Sequence, residues 1–225
     1  MRKLVLQVNQ RPSWEVVQGF RKLLSIYSPS CVVADSQERA GVMHSSIKPV
    51  SGRRFVGVAL TVKLFPGDLV DCLAALSVAQ EGDAIVVDAC GETETSIWGG
   101  LMAGLCQQKG VSGAVVDGAV RDIDEIRDLD FPLWAKAVVP RSTHSPYSRR
   151  LEPLEVNVPI TCGGVLVNPG DIVLADEIGV VVIPRPEAEA VLLRARELAA
   201  NEEKTRARIR EGKTLEEILT EFGRL

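Results

Sequence analysis

The sequence predicts an α/β protein with a central βαβ unit, an extra β layer after it and a helical arm toward the C-terminal end. Three observations carry this. First, short apolar runs recur behind glycine turns and lead into an acidic residue: Gly82-Asp83 before AIVVDA, Gly113 before AVVDGAV, Gly170-Asp171 before IVLADEIGVVVIP. Second, residues 97–109 (IWGGLMAGLCQQK), between the first two runs, read as a helix stopped by Gly110; strand–helix–strand at this spacing gives parallel strands. Third, aromatics make up only 4% of the chain against 46% hydrophobic residues, so the core is built from Val, Ile, Leu and Ala, as in strands buried on both faces.

In chain order, residues 13–27 are expected to form a helix. Ser13 is its N-cap, and Val16, Val17, Phe20, Leu23, Leu24 and Tyr27 lie on one stripe. Residues 29–46 read as a cap or loop with a short helix. FVGVALTVKL, residues 55–64, is a strand ended by the turn Phe65-Pro66-Gly67-Asp68. Residues 68–80 follow as a helix capped by Asp68, with Leu69, Leu73 and Leu76 on its buried side. Short strands are expected at 133–139, 154–158, 164–167, 171–175 and 179–183; with no helices between them, they read as a second sheet or barrel-like layer. The tail, 187–220, reads as a charged helix or helix pair, with Glu202 and Arg206 in the favourable i,i+4 order.

The chain has 225 residues, 25% of them charged, and a formal net charge of −4. One domain covering residues 1–225 is the simplest organisation at this length. Lys and Arg are scattered, which disfavours a nucleic-acid partner because phosphate neutralisation needs a clustered positive face. No window approaches the roughly 18 apolar residues of a membrane span, and the first residues have too short an apolar run for a secretion signal. The five cysteines show no CxxC spacing and read as reduced, buried thiols of a cytoplasmic protein. With His44 and His144 the only histidines, a His/Cys zinc site is poorly supported. Oxygen ligands, and hence Mg²⁺ or Mn²⁺, are favoured if a metal binds.

Chemistry is expected at the carboxyl ends of the parallel strands, where ligands of open α/β sheets bind. Two such ends are readable, Asp88-Ala89-Cys90-Gly91-Glu92 and Gly118-Ala119-Val120-Arg121-Asp122. The intervening helix opens near Trp98-Gly99-Gly100-Leu101, and its first N–H groups lack intrahelical acceptors, which suits a carboxylate or phosphate. Arg121 offers a planar cationic fork and Asp122 a hard metal ligand. Asp124, Glu125, Arg127, Asp128 and Asp130 read as a solvated helix face. Lys63, in an apolar strand, reads as outward-facing rather than as a Schiff-base lysine. Neither a phosphate-binding GxxxxGK[ST] loop nor a GxGxxG fingerprint is present.

Residues 31–185 resemble the family that joins 4-hydroxy-4-methyl-2-oxoglutarate aldolases with the regulator of ribonuclease E activity A (RraA). The resemblance rests on VGVALTVKLFPGD, EGDAIVVDACGE, WGGLMAGLCQQKGVSGAVVDGAVRDIDEI and NPGDIVLADEIGVVVIP. Its sharpest element is Gly100, twenty residues, Arg121-Asp122, two residues, Glu125. The resemblance implies a β/β/α swivelling fold of the phosphohistidine-domain type, a homotrimer or dimer of trimers, and an active site at a subunit boundary. By position it implies that Gly99, Gly100, Leu101 and Met102 present amides to a substrate carboxylate, that Arg121 contacts the substrate, and that Asp122 holds the divalent metal. It also implies that a carboxylate from a neighbouring C-terminal helix, Glu202 or Glu203, approaches the site.

The implied chemistry is that of a metal-dependent, class II type lyase acting on small 2-oxo acids through a pyruvate enolate. Where the aldolase subgroup has an acidic residue, this chain has Gly100. With Glu125, that pattern resembles the regulator-type subgroup, whose implied activity is oxaloacetate decarboxylation. Retro-aldol cleavage needs a base for the hydroxyl proton, whereas decarboxylation needs none to break its bond, so aldolase activity is expected to be weaker or to depend on another base such as Glu125. Two other functions are implied by relatives: inhibition of ribonuclease E through protein contact, and a menaquinone methyltransferase activity, which no glycine-rich S-adenosylmethionine loop supports here.

Overall fold

The computed structural model describes residues 11–68, 70–143 and 155–223. The expectations for Leu69 and His144, and the start of the expected strand 154–158, fall outside these residues. The elements in order are α1 (Trp14–Leu23), α2 (Pro29–Ser36), β1 (Lys48–Ser51), β2 (Phe55–Lys63), α3 (Val70–Val78), β3 (Asp83–Asp88), β4 (Ser96–Trp98), α4 (Gly100–Gln108), β5 (Gly113–Val120), α5 (Ile123–Asp128), β6 (Leu133–Val138), β7 (Ile160–Cys162), β8 (Val165–Val167), β9 (Ile172–Ala175), β10 (Val180–Ile183), α6 (Ala188–Arg210) and α7 (Leu215–Phe222).

The expected βαβ unit is present: β3 and β5 are parallel neighbours joined through α4, with Ala84 opposite Gly113 and Asp88 opposite Asp117. The sheet runs β1-β6-β5-β3-β2-β9-β10, and β4 adds to the outer end of β5. Strands β2, β3, β5 and β6 are parallel, while β1, β9 and β10 are antiparallel to their neighbours.

Both faces of the sheet are covered. On one face Leu60, Ile85, Val87, Val116 and Leu133 pack with residues of α3, α4 and α5. On the same face, Val56, Val58, Leu174 and Ile183 pack under α1, α2 and α6. The alternate residues Ala59, Val86, Val115 and Val173 point the other way, against Met43, Ile47 and the β7–β8 hairpin. Two-sided burial of these strands explains their unbroken apolar runs.

Five expectations change in detail. The expected second layer is mostly part of the main sheet. β6 extends it beside β5, and the β9–β10 hairpin extends it beside β2; among the described residues, β7 and β8 alone form a separate two-stranded sheet. Residues 155–158 contribute an isolated bridge, Val62 to Val156, rather than a strand. The first helix stops at Leu23, and Tyr27 lies exposed under the guanidinium of Arg206, 5.3 Å from its ring centroid, instead of on the buried stripe. In α3 the buried face is Cys72, Ala75 and Leu76, and Leu73 is exposed. Cys72, Cys106 and Cys162 are buried, with burial pushing each thiol pKa up, whereas Cys31 and Cys90 are exposed.

The tail is a helix pair. The first half of α6 belongs to the core through Ala188, Val191, Leu192 and Ala195, and Glu202 meets Arg206 at 2.6 Å as expected. Among the described residues, no helix is long and apolar enough to cross a membrane.

Candidate active site

Strand β5 runs beyond β3, and this overhang forms the site. Asp88, the last residue of β3, lies opposite Asp117, so the strand end at 88–92 is set back from Arg121 and Asp122. The two expected ends meet at Gly118, where an added Cβ would stand 2.8 Å from Ala89 Cβ and 3.2 Å from the Glu92 carbonyl, before β5 reaches Arg121 and Asp122. Asp88 instead accepts from the Cys90 N–H at 2.9 Å, and Glu92 accepts from the Glu94 N–H at 2.6 Å, so both acids serve their own loop. β4 takes the place beside the overhang, with Trp98 opposite Val120. The helix expected from residue 97 is thus a strand through Trp98 and begins at Gly100. The Ser-Ile-Trp run between polar and glycine turns is a strand signal that the helical reading absorbed.

The Arg121 N–H donates to the Trp98 carbonyl at 2.9 Å, which locks the end of β5 against the start of α4. At Asp122 the backbone turns left-handed, φ 53° and ψ 42°, and its carbonyl accepts from the Ile126 N–H to start α5. That conformation costs an L-residue about 1–2 kcal/mol, and Asp is among the residues that visit it most readily. The turn directs the Asp122 carboxylate toward α4: Oδ2 accepts from the Gly100 N–H at 3.3 Å and lies 3.4 Å from Arg121 Nε. Both side chains are 41% exposed, so the pair contributes at most about 1 kcal/mol to stability. Its importance is positional.

The two glycines make this approach possible. Gly99 is extended and caps α4 without a side chain. A Cβ there would stand 2.5 Å from Asp122 Oδ2 and 3.4 Å from Arg121 Cγ. A Cβ on Gly100 would overlap the Glu125 carboxyl group and lie 2.9 Å from its Cγ. Glu125 therefore lies over the backbone of residue 100, and a bare helix start, Arg121, Asp122 and Glu125 meet in one place. The side chain of Met102 joins the core below, whereas Leu101 is 80% exposed at the rim. The indole N–H of Trp98, buried just before the helix start, has no acceptor among the described residues.

Other expected residues lie elsewhere. Lys63 ends β2 exposed, in keeping with an outward-facing lysine. Glu202 and Glu203 are on α6, whose packing is against α1 and α2, and are engaged by Arg206 and Arg210. The chain does not bring them to its own Gly100–Asp122 region. The sequence reading missed the ion pair between Lys136 and Asp117, 3.2 Å, on the opposite face of the sheet, where Asp117 also accepts from the Gly163 N–H at 2.9 Å.

Known proteins resemble both the sequence and this architecture. A family model described as RraA-like, Aldolase/RraA, matches residues 30–182. A Halalkalibacterium halodurans protein named putative 4-hydroxy-4-methyl-2-oxoglutarate aldolase is 37% identical over 176 residues, 78% of this chain and 81% of its own length. A Thermus thermophilus protein named 4-hydroxy-4-methyl-2-oxoglutarate aldolase is 36% identical over 140 residues, covering 62% of this chain and 82% of that protein. The crystal structure of Streptomyces coelicolor RraAS2, titled an unusual member of the RNase ES inhibitor RraA protein family, superposes with a TM-score of 0.74 at 30% identity, covering 88% of this chain and 100% of that one. This chain belongs to the RraA-like family.

Proposed function

We propose that the protein is a divalent-metal-dependent lyase that cleaves a carbon–carbon bond of 2-oxo acids to give the pyruvate enolate, with oxaloacetate decarboxylation as its main reaction and 4-hydroxy-4-methyl-2-oxoglutarate cleavage as the weaker one. The observation that carries this reading is the meeting of the Gly100 N–H, Arg121 and Asp122 at the carboxyl end of β5. The names of the aldolase relatives support the same reaction class.

The donor set fits a hard cation. Asp122 is a half-exposed carboxylate beside a second carboxylate, Glu125, and among the described residues no group of three His, Cys, Asp or Glu forms a closed metal cage. Mg²⁺ binds in this manner, through one or two carboxylates, retained waters and substrate oxygens. When bound at Asp122, the cation supplies Lewis acidity at the 2-oxo oxygen.

The chain's own residues supply the rest. The N–H groups at the start of α4, Gly100 through Met102, receive the substrate carboxylate once the Gly100 N–H is released from Asp122. Arg121 places fixed positive charge where the enolate oxygen becomes negative, a contribution that grows toward the transition state. Glu125, standing over Gly100, is the group available to take the hydroxyl proton in retro-aldol cleavage. Leu101, Leu105 and Val138, all exposed, support an assembly of identical subunits, a trimer or dimer of trimers, that completes the open side of the site.

The test is pyruvate release from oxaloacetate and from 4-hydroxy-4-methyl-2-oxoglutarate by purified protein, with Mg²⁺ or Mn²⁺ and again with EDTA. Metal-dependent release from oxaloacetate is expected; no release under any condition overturns the proposal. A second reading, a protein-binding inhibitor of an RNase E-type enzyme, is favoured by the likeness to the Streptomyces protein. Asp122→Ala separates the two: lost pyruvate release with intact ribonuclease binding assigns the site to catalysis.

A further inference from the structure

The Asp122 carboxylate occupies the place that the proposed function gives to a substrate. Its Oδ2 accepts from the Gly100 N–H at 3.3 Å and pairs with Arg121 Nε at 3.4 Å. These are a cradle amide and the cation assigned to the incoming 2-oxo acid. The contact is built in rather than incidental. The left-handed turn at Asp122 directs the side chain to α4, and Gly99 leaves room for the oxygen, since any Cβ there would sit 2.5 Å from it.

A single N–H cannot serve two carboxylates at full strength, and two carboxylates sharing one site repel each other. The same carboxylate is the ligand proposed for the divalent cation, so engaging a cation and covering the amide compete.

We propose that Asp122 is a latch on its own anion site: its carboxylate covers the Gly100 amide and neutralises Arg121 until a divalent cation engages it, so cation binding precedes 2-oxo acid binding. This rests on the proposed function, since it concerns the order in which that site fills. It goes further in stating that, in the metal-free protein, one of the amides that receive the substrate carboxylate is covered by one of the chain's own residues.

The test is pyruvate binding by titration calorimetry to the EDTA-treated full chain, comparing the wild type with Asp122→Gly and Asp122→Asn. Both replacements tolerate the left-handed backbone, and circular dichroism with a thermal melt checks each fold. In the absence of metal, Asp122→Gly is expected to bind pyruvate about tenfold tighter than wild type or better, the scale of one hydrogen bond to a charged group. Asp122→Asn is expected to fall between them, because its side-chain oxygen still covers the amide without the charge. Wild type should reach high affinity only with saturating Mg²⁺.

The latch is overturned if metal-free Asp122→Gly binds no tighter than wild type while the wild type with Mg²⁺ binds well. It is also overturned if Asp122→Asn equals Asp122→Gly, since charge repulsion alone then accounts for the gain. Absence of pyruvate binding in every protein, including wild type with Mg²⁺, defeats the proposed function itself and the latch with it. A measurement free of variants gives the same decision: the backbone amide resonance of Gly100 should move when Mg²⁺ alone is added to wild-type protein, and a stationary resonance removes the latch.

Discussion

Gly100→Ala separates what this site does for chemistry from what it does for the fold. Gly100 is the first residue of α4, and the three atoms nearest to an added Cβ all belong to Glu125. The atoms that the methyl group meets first therefore belong to one exposed, flexible side chain. Replacing Gly by Ala in a helix is worth about 0.5–1 kcal/mol in favour of the variant, against which stands the cost of turning Glu125 to another rotamer, of similar size. The two nearly cancel. At about 2–4 °C per kcal/mol for a chain of this length, the melting temperature should stay within about 3 °C of wild type.

The two activities should separate. With Glu125 displaced from the helix start, retro-aldol cleavage is expected to fall by about 10²–10⁴, the usual worth of a positioned acid–base group. Decarboxylation, which needs no base to break its bond, should keep its rate within about tenfold. The assay follows pyruvate from the two substrates side by side, with Glu125→Gln as the variant that removes the base and leaves residue 100 untouched. An unchanged retro-aldol rate in both variants would refute the role given to Glu125, and a melting temperature lowered by more than about 5 °C would refute the claim that this carboxylate can yield.

Three further predictions concern other parts of the molecule. Arg121→Lys keeps the charge and loses the planar fork, so kcat/KM for both substrates should fall about 10²-fold with little change in melting temperature; equal activity would mean that point charge alone suffices. Asp176→Ala should destabilise the protein by about 3 kcal/mol or more on thermal or urea unfolding, because the buried carboxylate accepts from the N–H groups of Ser30, Ile178 and Gly179 and from the Ser30 hydroxyl. A loss under about 1 kcal/mol would show that the loop repairs these bonds. At Asp83, burial raises the carboxyl pKa above its ordinary 3.8 despite the 2.6 Å ion pair with Arg11. The folded protein therefore binds this proton more tightly than the unfolded chain, and the group's contribution to stability declines as pH rises from 3.8 through the raised value. The melting temperature of Asp83→Asn minus that of wild type should accordingly increase with pH across this window and level off above it; a difference that decreases with pH would reverse the assignment.

How far the sequence went depends on the range of each interaction. The buried parallel strands, α4 between them and the helical tail were legible because burial on both faces selects unbroken Val, Ile and Ala runs, and glycine turns mark their ends. The spacing from Gly100 to Arg121-Asp122 and Glu125 was legible for a related reason: a helix, a turn and one strand of set length separate them. Other features depended on register and on partners far away in the chain. The sequence offered 88–92 and 118–122 as two strand ends, but pairing Asp88 with Asp117 leaves β5 overhanging, and β4 lies beside the overhang. No local pattern specifies that offset. Likewise, Asp176 looks like any acid after a strand, and only the fold brings it to Ser30 and to the indole N–H of Trp134, which its backbone carbonyl accepts at 3.0 Å. The sequence by itself determined which residue types stand at the strand ends and how far apart along the chain they lie. The tertiary structure decided which of them meet, because a strand end becomes a site only when sheet register aligns it with a helix start and the glycines there leave room for a carboxylate.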